Sequence, residues 1–230
     1  MQAVNNNNNN NAGKRILLLT SLLIFTQLAF GHSINYALEG SPTTDVVWFY
    51  GKLGFKHIIP YGADHILFVI GLCLLSTNIR TIFWQATAFT VAHSITLALS
   101  MKNIIVAPGA VVEPIIALSI LFVAIENIML NELKPWRILI VFLFGLIHGM
   151  GFASALNEIG LPNGKFYTSV LAFNLGVELG QIAVITAMFT FIILPLRNKT
   201  WYRKGIVYPF SAVIAVIAAY WAIQRIFFKA

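Results

Sequence analysis

Charge is what this sequence has least of. Fifteen basic and eight acidic residues make up only 10% of its 230 positions. A soluble domain of this length needs a polar coat, and so few charges cannot supply one. Cysteine is nearly absent as well. Cys73 is the sole one and lies inside an apolar run. An intrachain disulfide and a CxxC site are thereby excluded, and nothing follows about redox compartment. Alternating ten-residue strands are missing, which excludes a transmembrane barrel. The net charge of +7 is spread between apolar runs and forms no basic stripe with interleaved aromatics, so nucleic-acid binding is excluded.

What remains is apolar. Hydrophobic residues are 58% of the chain and the mean hydropathy is +0.80. Long apolar runs with few charges read as bilayer spans. The expected fold is all-α, a polytopic integral membrane bundle of about six transmembrane helices after an N-terminal signal peptide, with the lipid bilayer as its surroundings. The spans run roughly Ala63–Ser76, Thr81–Met101, Val111–Leu130, Arg137–Leu156, Tyr167–Pro195 and Ile206–Phe228. Short connections make consecutive spans antiparallel.

Four segments organise the chain. Residues 1–13 are an Asn-rich leader containing Asn5 to Asn11, which has nothing apolar to bury and is expected to be disordered. Residues 14–31 have the layout of a signal peptide: Lys14 and Arg15, the apolar run Ile16 to Leu28, then Ala29-Phe30-Gly31. An uncleaved signal anchor is the alternative. Cleavage after Gly31 leaves His32 first, where its amine and imidazole form a chelate. Residues 32–56 read as an extracytoplasmic linker, with Val46 to Phe55 as an interfacial or re-entrant segment. Residues 57–230 form the transmembrane domain. The basic residues Arg80, Lys134, Arg137, Arg197, Lys199, Arg203 and Lys204 are assigned to inner loops. This puts both termini outside in a multi-pass cell (inner) membrane protein.

Ionisable residues inside the spans carry the functional argument. Each costs about 2.5–3.5 kcal/mol at a helix centre, so such groups face partners or water and mark ion pathways. Here they are Asp64, His65, His93, Glu113, Glu126, His148 and Glu178. At about 1.5 Å per residue, His65 and His93 lie about 20 Å above the boundary set by Arg80. His148 lies about 16 Å above Arg137. Three histidines from three spans therefore share a layer, with Asp64 in it and Glu178 near it. Asn174, Glu178 and Gln181 follow an i, i+4, i+7 pattern on one helix face, and His93, Thr96 and Ser100 form another. Gly145 and Gly149 bracket His148 as a small-xxx-small pair that lets helices approach closely.

Each residue also has a plainer reading. A lone histidine in a span is most often an interhelical hydrogen-bond donor. Glu113 precedes Pro114 at a helix start, where a carboxylate suits the dipole. Glu126, beside Asn127, either lines a path or pairs with Arg137 or Lys134. Taken together, His57, Asp64, His65, His93, His148 and Glu178 are the candidate metal ligands, and Asn174, Gln181, Glu126 and Asn127 the candidate transport path. Imidazole with carboxylate suits a divalent transition metal such as nickel, cobalt or zinc, as substrate or bound ion. The soft donor set for copper(I) is missing.

The blocks "HIIPYGADHILF", "TAFTVAHSITLALS", "VEPIIALSI" with "VAIEN", "FGLIHGMGFASAL" and "LAFNLGVELGQ" occur in order from about Gly54 to Pro195. Together they resemble the HupE/UreJ family of hydrogenase- and urease-associated membrane proteins. The resemblance implies a protein of six to eight spans linked to nickel uptake or nickel-enzyme maturation, with metalloenzyme maturation proteins as partners. It also implies a transport role for a histidine–aspartate–histidine motif, here His57, Asp64 and His65. Six residues separate His57 from Asp64, where the nickel permeases have five. The extra one falls beside Pro60 in an expected turn, which leaves the pair able to converge.

Transport of a divalent metal, nickel or cobalt first, is the leading expectation. A membrane-embedded zinc-dependent hydrolase is the alternative from another class, since three histidines and an aspartate can hold zinc and activate water. No HExxH or GxSxG motif accompanies it. Haem held by facing histidines and a non-transporting metal-binding accessory protein complete the set.

Overall fold

The structure is a computed structural model and describes residues 38–228. The Asn-rich leader, the signal peptide and His32 lie outside the described residues. Seven helices account for nearly all of what is described. They are α1 (Thr43–Ile58), α2 (Ala63–Leu75), α3 (Ile79–Met101), α4 (Gly109–Met129), α5 (Arg137–Ile159), α6 (Phe166–Leu196) and α7 (Arg203–Phe227). Helices α3 to α7 are each long and apolar enough to cross a membrane.

Local signals set the boundaries. Asn78 caps α3, its side chain accepting from the Arg80 N–H at 3.0 Å; an Asn side chain satisfies one of the orphan donors of a first turn. Pro42 and Pro108 stand just before α1 and α4. Gly160, at φ 81°, ends α5, in a region closed to most side chains. Helix α6 carries a π-helical turn at Phe189–Ile193, and α7 opens with one at Arg203–Val207.

The core is largely apolar, but unlike that of a soluble protein the surface is apolar too. Leu171, Phe191 and Val216 are 68–74% exposed, while Arg137 is fully buried. Apolar side chains facing outward suit hydrocarbon, and polar groups turned inward satisfy one another.

Helix α1 differs most from expectation. The stretch assigned to a linker with an interfacial segment is a sixteen-residue helix packed along α6. It meets α2 at an angle of 68° across Ile59–Gly62, so α1 and α2 together form one broken span or a re-entrant pair. Neither is long enough alone: thirteen residues rise only about 20 Å, against a core of about 30 Å.

The main seams are α1 with α6, α3 with α5, and α4 with α7. Consecutive spans alternate in direction, yet two of these seams join parallel helices, because each pairs elements separated by an even number of crossings. Glycine makes both parallel seams close. A Cβ at Gly54 would overlap the Phe173 carbonyl, and one at Gly176 the Gly51 carbonyl. On the other seam, Gly145 lies against the Phe89 backbone and Gly149 against the His93 carbonyl and Thr96. The start of α1 and the end of α7 come to the same end of the bundle, where Arg225 donates to the Glu113 carbonyl at 2.9 Å. We label this the Ser100 end and the opposite one the Asn78 end.

These contacts generate a prediction. Gly149→Leu and Gly176→Val should each cost at least the upper part of the range of about 1–3 kcal/mol typical of overpacking. Gly40→Ala, with nothing within 4 Å, should be near neutral. Thermal midpoints in detergent, read by size-exclusion after heating, check the contrast.

Candidate metal centre

The break between α1 and α2 delivers the first two imidazoles. His57 sits in the last turn of α1 and His65 in the first turn of α2. Their ring centroids are 4.7 Å apart. The turn holding Pro60 absorbs the extra residue, as Gly62 tucks against the His57 carbonyl where a Cβ would overlap. Helix α3 supplies His93, with centroids 6.3 Å from His57 and 6.0 Å from His65. Helix α5 supplies His148, 5.2 Å from His65. The glycine seam of α3 and α5 brings this last pair of helices together.

His57, His65 and His93 each offer a ring nitrogen within 4.8 Å of the others. The Nε2 atoms of all four histidines are buried without a hydrogen-bond partner. Three of the four Nδ1 atoms are engaged: His65 with Asp64 Oδ1 at 3.1 Å, His93 with Asn174 Oδ1 at 3.1 Å, and His148 with the Phe144 carbonyl at 2.9 Å. A carboxylate, an amide oxygen and a peptide oxygen are acceptors, so each Nδ1 carries the proton and each Nε2 keeps its lone pair. Such outer partners fix the tautomer and raise the basicity of a ligating imidazole.

Aromatic rings seal the group. Phe152 lies 4.0 Å from His57 by centroids, Phe89 4.8 Å from His148, and Phe68 and Phe173 close the remaining sides at 5.7 Å and 5.6 Å. Water is thus kept from the lone pairs. The sequence argument missed this shell, although Phe68 and Phe89 stand three and four residues from His65 and His93, a helical-face spacing that would have revealed it.

The other expected site residues are placed differently. Asp64 acts through His65, accepting from both its backbone N–H at 2.9 Å and its ring. Asn174 acts through His93. Glu178 lies one turn further along α6, where its Oε1 accepts from Thr87 at 2.6 Å. Gln181 meets Thr90 at 3.0 Å. Thr87 and Thr90 continue the His93 strip of α3 backwards at three-residue intervals, a signal the sequence carried.

Glu126 and Asn127 belong to a separate network at the Asn78 end. Arg137 Nε lies 3.1 Å from Glu126 Oε2, an ionic contact outside hydrogen-bonding geometry. Arg137 also donates to Asn127 Oδ1 at 3.2 Å, and Asn127 donates to the Gly71 carbonyl at 2.8 Å. Arg203 ties the end of α4, donating to the carbonyls of Asn127 and Leu130. Of the two readings of Glu126, the structure displays the pairing with Arg137. Arg137, expected as the first residue of its span and counted with the inner-side basic residues, does open α5, but it is fully buried.

A family model described as HupE / UreJ protein matches residues 32–225, most of the chain. The chain belongs to that family. No curated protein and no solved structure matches it.

The network at the Asn78 end makes a prediction. Arg137→Met strands Glu126 and should cost about 3–5 kcal/mol, as breaking a buried pair does. Adding Glu126→Leu should restore much of the loss. A double-mutant cycle on thermal stability checks the sign of the coupling.

Proposed function

We propose that this HupE/UreJ protein is a permease for a divalent transition-metal ion, nickel or cobalt first, and that the imidazole cluster is where the ion sheds its water. One observation carries the reading: His57, His65 and His93 bring ring nitrogens within 4.8 Å of one another, His148 packs against His65, and all four Nε2 atoms are buried without a partner. Buried acceptors are ordinarily hydrogen-bonded, and leaving one unmade costs about 1–3 kcal/mol. Four in one place are supported by a visiting cation. Neutral imidazole is a good ligand for nickel, cobalt and zinc.

The broken span favours a passing ion over a resident one. Transporters place ion sites near the midplane where helices are interrupted, and a helix C-terminus such as that of α1 favours positive charge. Entry runs from the Ser100 end. There a cavity of about 210 Å³ is lined by Ser100, Asn103, Ser154 and Asn157 among others, and Ser100 Oγ is buried without a partner. Ser100 lies two turns from His93 on the same face. Asp64, 25% exposed at its side chain, adds a negative charge beside His65. We assign the Ser100 end to the outside of the cell membrane. Release supplies metal to the maturation of a metalloenzyme. Against the hydrolase alternative, Ser94 is tied to the Thr90 carbonyl at 2.6 Å, and phenylalanine rings line the cluster.

In proteoliposomes the protein should take up nickel or cobalt. His93→Ala should lower the rate at least about tenfold, as loss of a ligand or its orienting partner typically does. Asn174→Ala should weaken cobalt binding by about 10–100-fold without unfolding the protein, since it removes only the acceptor that orients His93. Flux equal to that of empty liposomes, with zinc retained through dialysis, would sink the permease in favour of an accessory or hydrolytic role. Acid should slow uptake, because a proton on Nε2 displaces the metal. A pH series carried from neutral well into the acid range checks the direction.

A further inference from the structure

The seam between α3 and α6 holds polar groups that neither the imidazole cluster nor the packing uses. Glu178 has one oxygen engaged by Thr87, while Oε2 is buried with no partner. Among the described residues it forms no salt bridge. Gln181 is 1% exposed and leaves one end of its amide unpaired. Thr90 Oγ lies 3.2 Å from the Ala86 carbonyl and 3.0 Å from the Gln181 amide. A hydroxyl has one proton. The Gln181 oxygen faces Thr90 and its NH2 is unpaired. With the hydroxyl proton on the Ala86 carbonyl the amide turns over, the NH2 donates to Thr90, and the oxygen is freed on the helix face it shares with Glu178. A carboxylate oxygen shut away without a partner is costly in a bilayer, and a visiting cation removes that cost.

Position matters too. Thr87 is six residues, about 9 Å of helix, from His93 toward the Asn78 end. About 12 Å beyond Glu178 along α6 comes Thr186. It lines a groove of about 530 Å³ with Thr77, Asn78, Thr190 and the exposed Arg197 among others. Polar groups thus lie between His93 and that groove: Asn174 first, then the Thr90–Gln181 and Thr87–Glu178 pairs side by side, then the threonines.

We propose that Glu178 and Gln181 form a second, oxygen-donor station for the divalent cation, distinct from the imidazole cluster, through which the ion leaves toward the Asn78 end. The proposal rests on the permease reading. A carboxylate and neutral oxygens hold nickel or cobalt less firmly than imidazoles do. An ion pathway needs sites weak enough to leave. The Glu126 network is then structural, since Arg137 already neutralises its carboxylate.

The test pairs two measurements on purified full-length protein: nickel uptake in proteoliposomes and cobalt(II) binding by its visible absorption. Glu178→Gln keeps the shape and the Thr87 contact. It should slow uptake about tenfold or more, as removing a path carboxylate would, while cobalt affinity at the cluster stays within about threefold. Glu178→Asp should recover part of the rate. Gln181→Leu is a second variant with the same expected split, should the first fail to fold. Unchanged uptake in Glu178→Gln, with His93→Ala still abolishing it, overturns the station and leaves the permease standing. Cobalt affinity falling in step with uptake also overturns it, since Glu178 would then act on the cluster. No effect of His93→Ala brings down both.

Discussion

In hydrocarbon a lone pair has no water to fall back on. That constraint organises the molecule. Among the described residues, polar side chains of the bundle find a partner on a neighbouring helix, turn back on their own helix's carbonyls, or are left waiting for one. Asn127 finds the Gly71 carbonyl, Arg137 finds Glu126, and Asn174 finds His93. The four imidazole Nε2 atoms find nothing. Three of the four outer nitrogens are secured while the inner ones are open, the pattern of oriented imidazoles on which the permease proposal rests.

Holding that arrangement takes close backbones. Imidazole is short, and helices packed through leucine would hold the rings too far apart. Gly145 and Gly149 let α5 lie on α3, and Gly54 and Gly176 do the same for α1 and α6. In a bilayer such seams are stabilised by van der Waals contact rather than by water exclusion. The break at Ile59–Gly62 completes the geometry, turning two short helices so that His57 and His65 face each other. The two halves of the bundle then differ in character. The imidazole half presents unpartnered nitrogens, while at the Asn78 end Arg137 neutralises Glu126 and Arg203 binds the carbonyls of Asn127 and Leu130.

Much of this was legible in residue order. Apolar runs with few charges yielded five of the spans to within a few residues. Counting from Arg80 and Arg137 put His65, His93 and His148 at one depth, and the structure brings their rings together. Gly145 and Gly149 were read as a close-approach pair and are one. The i, i+4, i+7 face of Asn174, Glu178 and Gln181 does turn to α3. Helix α1 was not legible as a packed helix, because Lys52, Lys56 and two glycines lower its hydropathy. Its glycines serve a helix seam instead of a loop. Arg137 was legible as a span's first residue, but its burial was not, because a terminal position cannot distinguish an exposed arginine from one folded inward onto Glu126.

Periodicity and hydropathy are local properties, so residue order alone settles the all-helical membrane architecture, the depth of each ionisable group and the face on which it stands. It also settles the family, through blocks that need no geometry to be matched. Which faces meet is not local. That α3 lies beside α5 and α6 rather than α4, that Glu178 stands a turn away from the imidazoles, and that Glu126 is claimed by Arg137 all depend on how helices far apart in the chain pack. A side chain's partner is set by the helix opposite, and only the assembled bundle names that helix.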